Sequence, residues 1–289
     1  MSLKQDARQY LSHESQTKFY KKIDSKKSIE VKYDNDFKDR ILITCKIYGD
    51  WSFSGVMRNI AKGLKRVDVD VAIAPEEYHN IGNMPDWEIK EMINKPHDYW
   101  NRVVLRSSEG DHMYLMPPGK RRIAHTTGES TYVNKDWLQQ LNAVDLVLTT
   151  SNFYAGVLQS HGLKTPVAVL PNSVNLDIYN KDIISYKSNF VMRSFNFFSM
   201  FHYGERKAPD ILFKAFLEEF KADEDVTLTV HAMSIGVALQ QAGTTIENWV
   251  RSLSPKTHAP IYVTQSPFPE DMLPHYIKGF DCFVLPTRG

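Results

Sequence analysis

Residues 40–48, RILITCKIY, are almost continuously apolar over a length that suits a strand and is short for a helix. A strand of that kind needs cover on both faces, and sheets covered on both faces are parallel sheets flanked by helices. The neighbouring residues follow the same logic. The stretch GDWSFSG (49–55) leads into an amphipathic helix near 54–66, with Val56, Ile60, Ala61 and Leu64 along one stripe, and 67–74 reads as a second strand. This βαβ opening implies right-handed crossovers between parallel neighbours.

The alternation continues. Strands are expected at 102–105, at a short run ending on Ile123 and Ala124, at 145–150 and at 166–170. Helices are expected behind Met84-Pro85-Asp86, at 136–141 and at 153–160, the last capped by Ser151-Asn152 and closed by His161-Gly162. Residues 176–194 lose periodicity and gain Lys, Asn, Ser and Asp. A second alternation follows, with strands at 195–201, 225–232, 260–265 and 281–285 and helices at 209–220, 246–253 and 270–279. The expected organisation is a polar extension at 1–38, an α/β domain at 39–180, a linker at 181–194 and a second α/β domain at 195–289.

Bulk composition narrows the class. A chain of 289 residues allows two domains, and 42% hydrophobic with 24% charged residues is a globular composition. The 35 basic and 34 acidic residues leave a net charge of +1, which gives no general reason to expect nucleic-acid binding. Cys45 and Cys282 each sit in an apolar run and read as core thiols in a reducing compartment. No run approaches ~18 apolar residues and the N-terminus lacks an apolar leader core, so a cytoplasmic protein is expected. The lysines at 21, 22, 26 and 27 leave room for peripheral contact with anionic lipid.

Three places carry candidate chemistry. The first is FNFFSMFHYGERKAPDILFKAFLEEF (195–220): an apolar strand, a polar turn at 202–207, then Pro209 and Asp210 opening a helix with Ile211, Leu212, Ala215, Phe216 and Phe220 at helical spacing. Unpaired N–H groups, the positive helix end, Arg206 and Lys207 together suit phosphate; an ordinary connection with solvated cations has the same residues. The second is KRRIAHTTGES (120–130), where His125, Thr126, Thr127, Gly128, Glu129 and Ser130 crowd just after a strand, the side on which open α/β sheets bind ligands. A lone histidine there is equally a core residue. The third is Gly55, a backbone donor to a ligand or a simple helix-start glycine. The glycines lack the G-x-G-x-x-G dinucleotide spacing, which disfavours a dehydrogenase.

Several passages together resemble the GT-B glycosyltransferases of the large retaining nucleotide-sugar family four. DLVLTTSNFYAGVLQSHGLKTPVAVLPNSVN (145–175) is similar to the passage closing that family's N-terminal domain, FFSMFHYGERKAPDILFKAFLEEF to its phosphate-binding strand, turn and helix, and FPEDMLPHYIKGFDCFVLPTRG (268–289) to its passage before the donor loop. AHTTGEST (124–131) resembles its acceptor-side strand end. The resemblance implies two Rossmann-like domains with parallel sheets facing across a cleft, the C-terminal one incomplete here. It implies transfer of a sugar from a UDP- or GDP-sugar to a glycan or lipid-linked acceptor with retention, without metal or cofactor. By the same resemblance Arg206 and Lys207 neutralise the leaving diphosphate and His125 donates a hydrogen bond near the sugar. Gly55, Glu129, Ser130, Asn172 and His202 complete the expected substrate-binding set.

The departures are specific. His202 stands near the position of a family arginine, Ala208 replaces the glycine of R-K-G, and Ser173 that of P-N-G-V. The family continues past the Arg-Gly pair into a Glu-Gly-x-Gly turn and an E-x7-E motif that this chain does not contain, so a fragment of a longer enzyme is expected. A non-catalytic GT-B remnant that binds nucleotide or a partner chain, and a sugar-nucleotide epimerase, remain open on the same residues.

Overall fold

The computed structural model describes residues 40–49, 52–76, 86–108, 110–186, 193–233, 248, 252, 258–265, 268–269 and 271–288. The polar extension at 1–38 lies outside the described residues, as does all but two positions of the expected helix at 246–253. The chain divides into two units, Met1–Val174 and Asn175–Gly289.

The first unit is built on a six-stranded sheet in the order β2-β1-β3-β4-β5-β6. The strands are β1 (Arg40–Cys45), β2 (Asp70–Pro75), β3 (Val103–Ser107), β4 (Arg121–Thr126), β5 (Leu146–Thr149) and β6 (Val167–Val169), every pairing parallel. Side chains alternate across a pleated strand, so β1 supplies both cores. Leu42 packs with Ala72, Val104, Ala124 and Val147 on one face, and Ile43 and Cys45 pack with Val71, Ile73 and Leu105 on the other. Helices α1 (Ser52–Arg66) and α2 (Trp87–Ile93) cover the second face through Met57, Ala61, Ile89 and Met92. Helices α3 (Lys135–Leu141) and α4 (Asn152–Ser160) cover the first through Leu141, Tyr154, Val157 and Leu158. The α4 cap is Ser151, whose Oγ accepts from the Tyr154 N–H at 3.2 Å. The winding reverses between β1 and β3.

The second unit carries a four-stranded parallel sheet in the order β10-β7-β8-β9. Its strands are β7 (Phe195–His202), β8 (Val226–Met233), β9 (Ile261–Thr264) and β10 (Cys282–Phe283). Helix α5 (Pro209–Glu219) packs Leu212, Phe213 and Phe216 against Leu228, Val230 and Ala232, and α6 (Leu273–Ile277) brings Tyr276 edge-on to Phe198. Here the winding reverses between β7 and β10.

Several boundaries differ from the sequence reading for local reasons. The second strand starts at Asp70 because 67–69 close α1: the Val67 and Val69 N–H groups donate to the Leu64 carbonyl, and Asp68 takes φ 62°. Strand β3 runs on through Arg106 and Ser107, both buried, because each finds a polar partner. Strand β4 likewise includes His125 and Thr126, which the sequence had placed after it. On α5 the buried stripe is 209, 212, 213, 216 and 217, so Ile211 and Ala215 face solvent. Cys282 is half-buried on β10, which has no second neighbour among the described residues, while Cys45 is fully enclosed and its thiol is pushed up by burial. The expected linker at 181–194 is, in its first part, strapped to α6. The Tyr186 N–H donates to the His275 carbonyl at 2.7 Å, and His275 Nδ1 donates to the Ile184 carbonyl at 2.5 Å. Among the described residues no helix is long and apolar enough to cross a membrane.

Candidate functional site

In the first unit the strand ends gather buried polar groups, several of them uncharged. His125 sits on β4 beside Ser107 of β3, with Nδ1 2.9 Å from the serine Oγ. Burial alone holds its imidazole below the ordinary value, which keeps it neutral. Its Nε2 is enclosed and has no hydrogen-bond partner among the described residues, and the same holds for the hydroxyls of Thr44 on β1, Thr126 on β4 and Thr149 on β5. All four lie in the last two residues of their strands. An unmet buried polar atom costs free energy, so these atoms at the strand ends, His125 on one face of the sheet and the three threonines on the other, give a ligand something to satisfy. One residue further along, Thr127 Oγ1 and Thr150 Oγ1 share a hydrogen bond at 2.8 Å.

At the reversal point of this sheet, Arg58 of α1 pins the loop after β1. Its guanidinium donates to the Ile47 and Gly49 carbonyls, each at 2.9 Å. Ser54 Oγ donates to the Tyr48 carbonyl at 2.9 Å. Across the same point Arg106 of β3, also enclosed, pairs with Glu76 at 2.7 Å and donates through Nε to the His112 carbonyl at 2.9 Å.

In the second unit the corresponding edge is charged and exposed. Strand β7 ends on exposed His202; Tyr203 and Gly204 follow, then one 3-10 turn, Glu205–Lys207, and α5. The Lys207 N–H donates to the Gly204 carbonyl and the Ala208 N–H to the Glu205 carbonyl, both at 3.0 Å. Ala208 then adopts φ 51°, the left-handed region that glycine enters without cost, which is where R-K-G has its glycine. Arg206 is exposed and Lys207 half-buried. The loop after β10 folds onto this turn. The Arg288 N–H and Thr287 Oγ1 both donate to the Arg206 carbonyl, at 2.8 and 3.2 Å. The Arg288 guanidinium donates to the Glu205 carbonyl at 2.5 Å and to the Asp210 carboxylate at 2.6 Å. That guanidinium holds the Asp210 carboxyl below its usual range. The turn thus lies where β7 and β10 part, the switch point at which open α/β sheets bind ligands.

No protein-family model and no curated protein matches the sequence. Solved structures do resemble the chain. An apo structure of OtsA is 13% identical with a TM-score of 0.58, over 86% of this chain and 78% of its own. The N-terminal domain of trehalose-6-phosphate phosphatase from Candida albicans is 10% identical with a TM-score of 0.51, over 91% of this chain and 80% of its own. The chain has a GT-B-like fold.

Within each half of this GT-B-like chain the expected residues are distributed unevenly. His202, Arg206 and Lys207 are brought together at the switch point of the second unit. His125 lies in the first unit beneath the surface, while Glu129 and Ser130 sit on the exposed loop that follows, where Ser130 Oγ accepts from the Tyr132 N–H at 3.0 Å. Gly128 in that loop is a packing residue: a methyl there would come within 2.1 Å of the Tyr154 ring. Asn172 is on the exposed loop after β6. Gly55 falls in the first turn of α1, where an added methyl would meet only Arg58, at 3.8 Å. Sequence reasoning missed Thr44, Thr149, Arg58 and Arg288. Thr149 had a legible signal, a polar residue closing an apolar run, and Thr44 had a weaker one, a hydroxyl inside such a run. Arg288 had none, because its partner Asp210 is 78 positions away.

Proposed function

We propose that this chain is a glycosyltransferase of the retaining, family-four kind, moving a sugar from a UDP- or GDP-sugar to a glycan or lipid-linked acceptor in the cytoplasm. The observation that carries this reading is the cationic turn of Arg206 and Lys207 at the switch point of the second sheet, at the start of a helix of three turns. The two cations there meet the diphosphate of the donor. They gain strength as the anomeric bond breaks and charge builds on the departing oxygen. His202 and the open backbone at Gly204 border the same space.

His125 has the complementary role. The role takes the tautomer in which Ser107 Oγ–H donates to Nδ1 and the neutral imidazole carries its proton on Nε2, available to a sugar hydroxyl. Gly55 admits the donor close to the α1 backbone, and Glu129, Ser130 and Asn172 contact sugar or acceptor from their loops. Neither a metal nor a cofactor takes part in this scheme.

The test is turnover by the full chain. Incubation with UDP- and GDP-sugars, with and without glycan acceptors, should release UDP or GDP, and Lys207→Ala should lower kcat/KM by about 10²–10³-fold. Turnover that ignores Lys207→Ala would remove the reading. Nucleotide binding that depends on Lys207 without any turnover would replace it with a non-catalytic nucleotide-binding protein.

A further inference from the structure

Asp210 is the second residue of α5 and places a carboxylate in the first turn of the helix that carries the cationic turn. A negative charge there satisfies the positive helix end itself, in competition with any anionic ligand. In this chain Asp210 does not act alone. The Arg288 guanidinium reaches it from the loop after β10 at 2.6 Å and also donates to the Glu205 carbonyl at 2.5 Å. The loop has its own attachment: the Arg288 N–H and Thr287 Oγ1 bond the Arg206 carbonyl through atoms other than the guanidinium. The pair is exposed, 39% and 48% for the two side chains. Exposed pairs contribute little to folding, so a contribution to stability does not account for this one.

We propose that Arg288 is a positioning residue for anion binding, cancelling the Asp210 charge so that Arg206 and Lys207 meet a nucleoside diphosphate unopposed. This rests on the reading of that turn as the donor-diphosphate site. Arg288 acts through Asp210, not by touching the ligand. The role is therefore defined by a relation between two substitutions rather than by the loss seen on one.

The experiment is calorimetric titration of UDP and of GDP into the full chain and into Arg288→Gln, Asp210→Asn, the double variant and Lys207→Ala, at low and high salt. Arg288→Gln should weaken binding on the order of tenfold at low salt, with the loss shrinking as salt screens the uncovered carboxylate. Asp210→Asn alone should bind at least as tightly as the parent. The double variant should return to within about threefold of the parent, since no charge is left to cancel. Circular dichroism of each variant reports folding separately. A double variant as weak as Arg288→Gln, or an Arg288→Gln chain that binds as the parent does, would overturn the inference while Lys207 dependence leaves the site reading intact. Binding unaffected by Lys207→Ala, or no binding of either nucleotide by the parent, would overturn the site reading itself and this inference with it.

Discussion

In the first unit the polar groups at the strand ends are enclosed and either neutral or matched, with His125 and Ser107 paired, Thr126 and Thr149 shut away from solvent and the Arg106 charge met by Glu76. In the second unit the groups at the strand ends are charged and wet, with Arg206 exposed and Arg288 reaching Asp210 across the turn. Both sheets are parallel and both reverse their winding beside the first strand, so topology does not account for the contrast. Solvation does. An unpaired buried cation costs far more than a buried imidazole that can stay neutral, so cations awaiting an anion have to remain hydrated. Hydrogen-bonding groups that read uncharged hydroxyls can be buried and fixed beforehand. The second unit has a buried imidazole too: His231 on β8 bonds Thr264 at 2.8 Å and packs on the Phe268 ring. Burial on its own therefore does not mark a site, and neither do unmet hydroxyls, since Ser199 and Thr229 of the second unit have them too; His125 is set apart by an enclosed, unmet ring nitrogen at the end of its strand.

Substitutions can break this contrast in order of decreasing effect. Gly128→Ala forces a methyl into the Tyr154 ring and should cost about 3 kcal/mol of stability, read by urea unfolding of the full chain. Ala208→Val places a β-branched residue at φ 51° and should cost about 2 kcal/mol, whereas Ala208→Gly should stay within about 1 kcal/mol of the parent. An equal cost for valine and glycine would mean that the left-handed turn does not govern this position.

Acidification comes next. Burial holds the His125 imidazole below its ordinary 6.5, so the unfolded chain binds that proton more readily than the folded one. His231 is shifted the same way by the same cause. Stability should be complete above pH 6.5 and fall as pH drops below it. His125→Gln should make the decline in thermal midpoint between pH 6.5 and more acid conditions shallower; an unchanged slope would argue against a neutral, buried imidazole. The smallest effect is Gly204→Ala, which has open space around it and should shift stability by less than about 0.5 kcal/mol.

The parallel α/β frame was legible because its strands are nearly continuous apolar runs, as at 40–45 and 146–149. The strand, cationic turn and helix were legible because all their parts are adjacent in sequence. What escaped was nonlocal. Strand β3 hides its last two residues behind polarity that only Glu76 and His125 explain. The stripe of α5 was misphased by one position because Ile211 looks like a core residue, and Phe213 takes that place. The segment 181–186 looks like a linker because it contributes backbone groups to its bonds with α6, about 90 residues later, which no side-chain pattern within the segment records.

The account stands most directly on where the charge for a diphosphate resides. Titrating UDP and GDP into the full chain, into the Arg206→Gln/Lys207→Gln double variant and into His125→Ala separates the two units in one measurement. The double variant should lose about a hundredfold in affinity and much of the salt dependence, while His125→Ala keeps both. Nucleotide affinity that survives removal of Arg206 and Lys207, or that collapses with His125 instead, would contradict it.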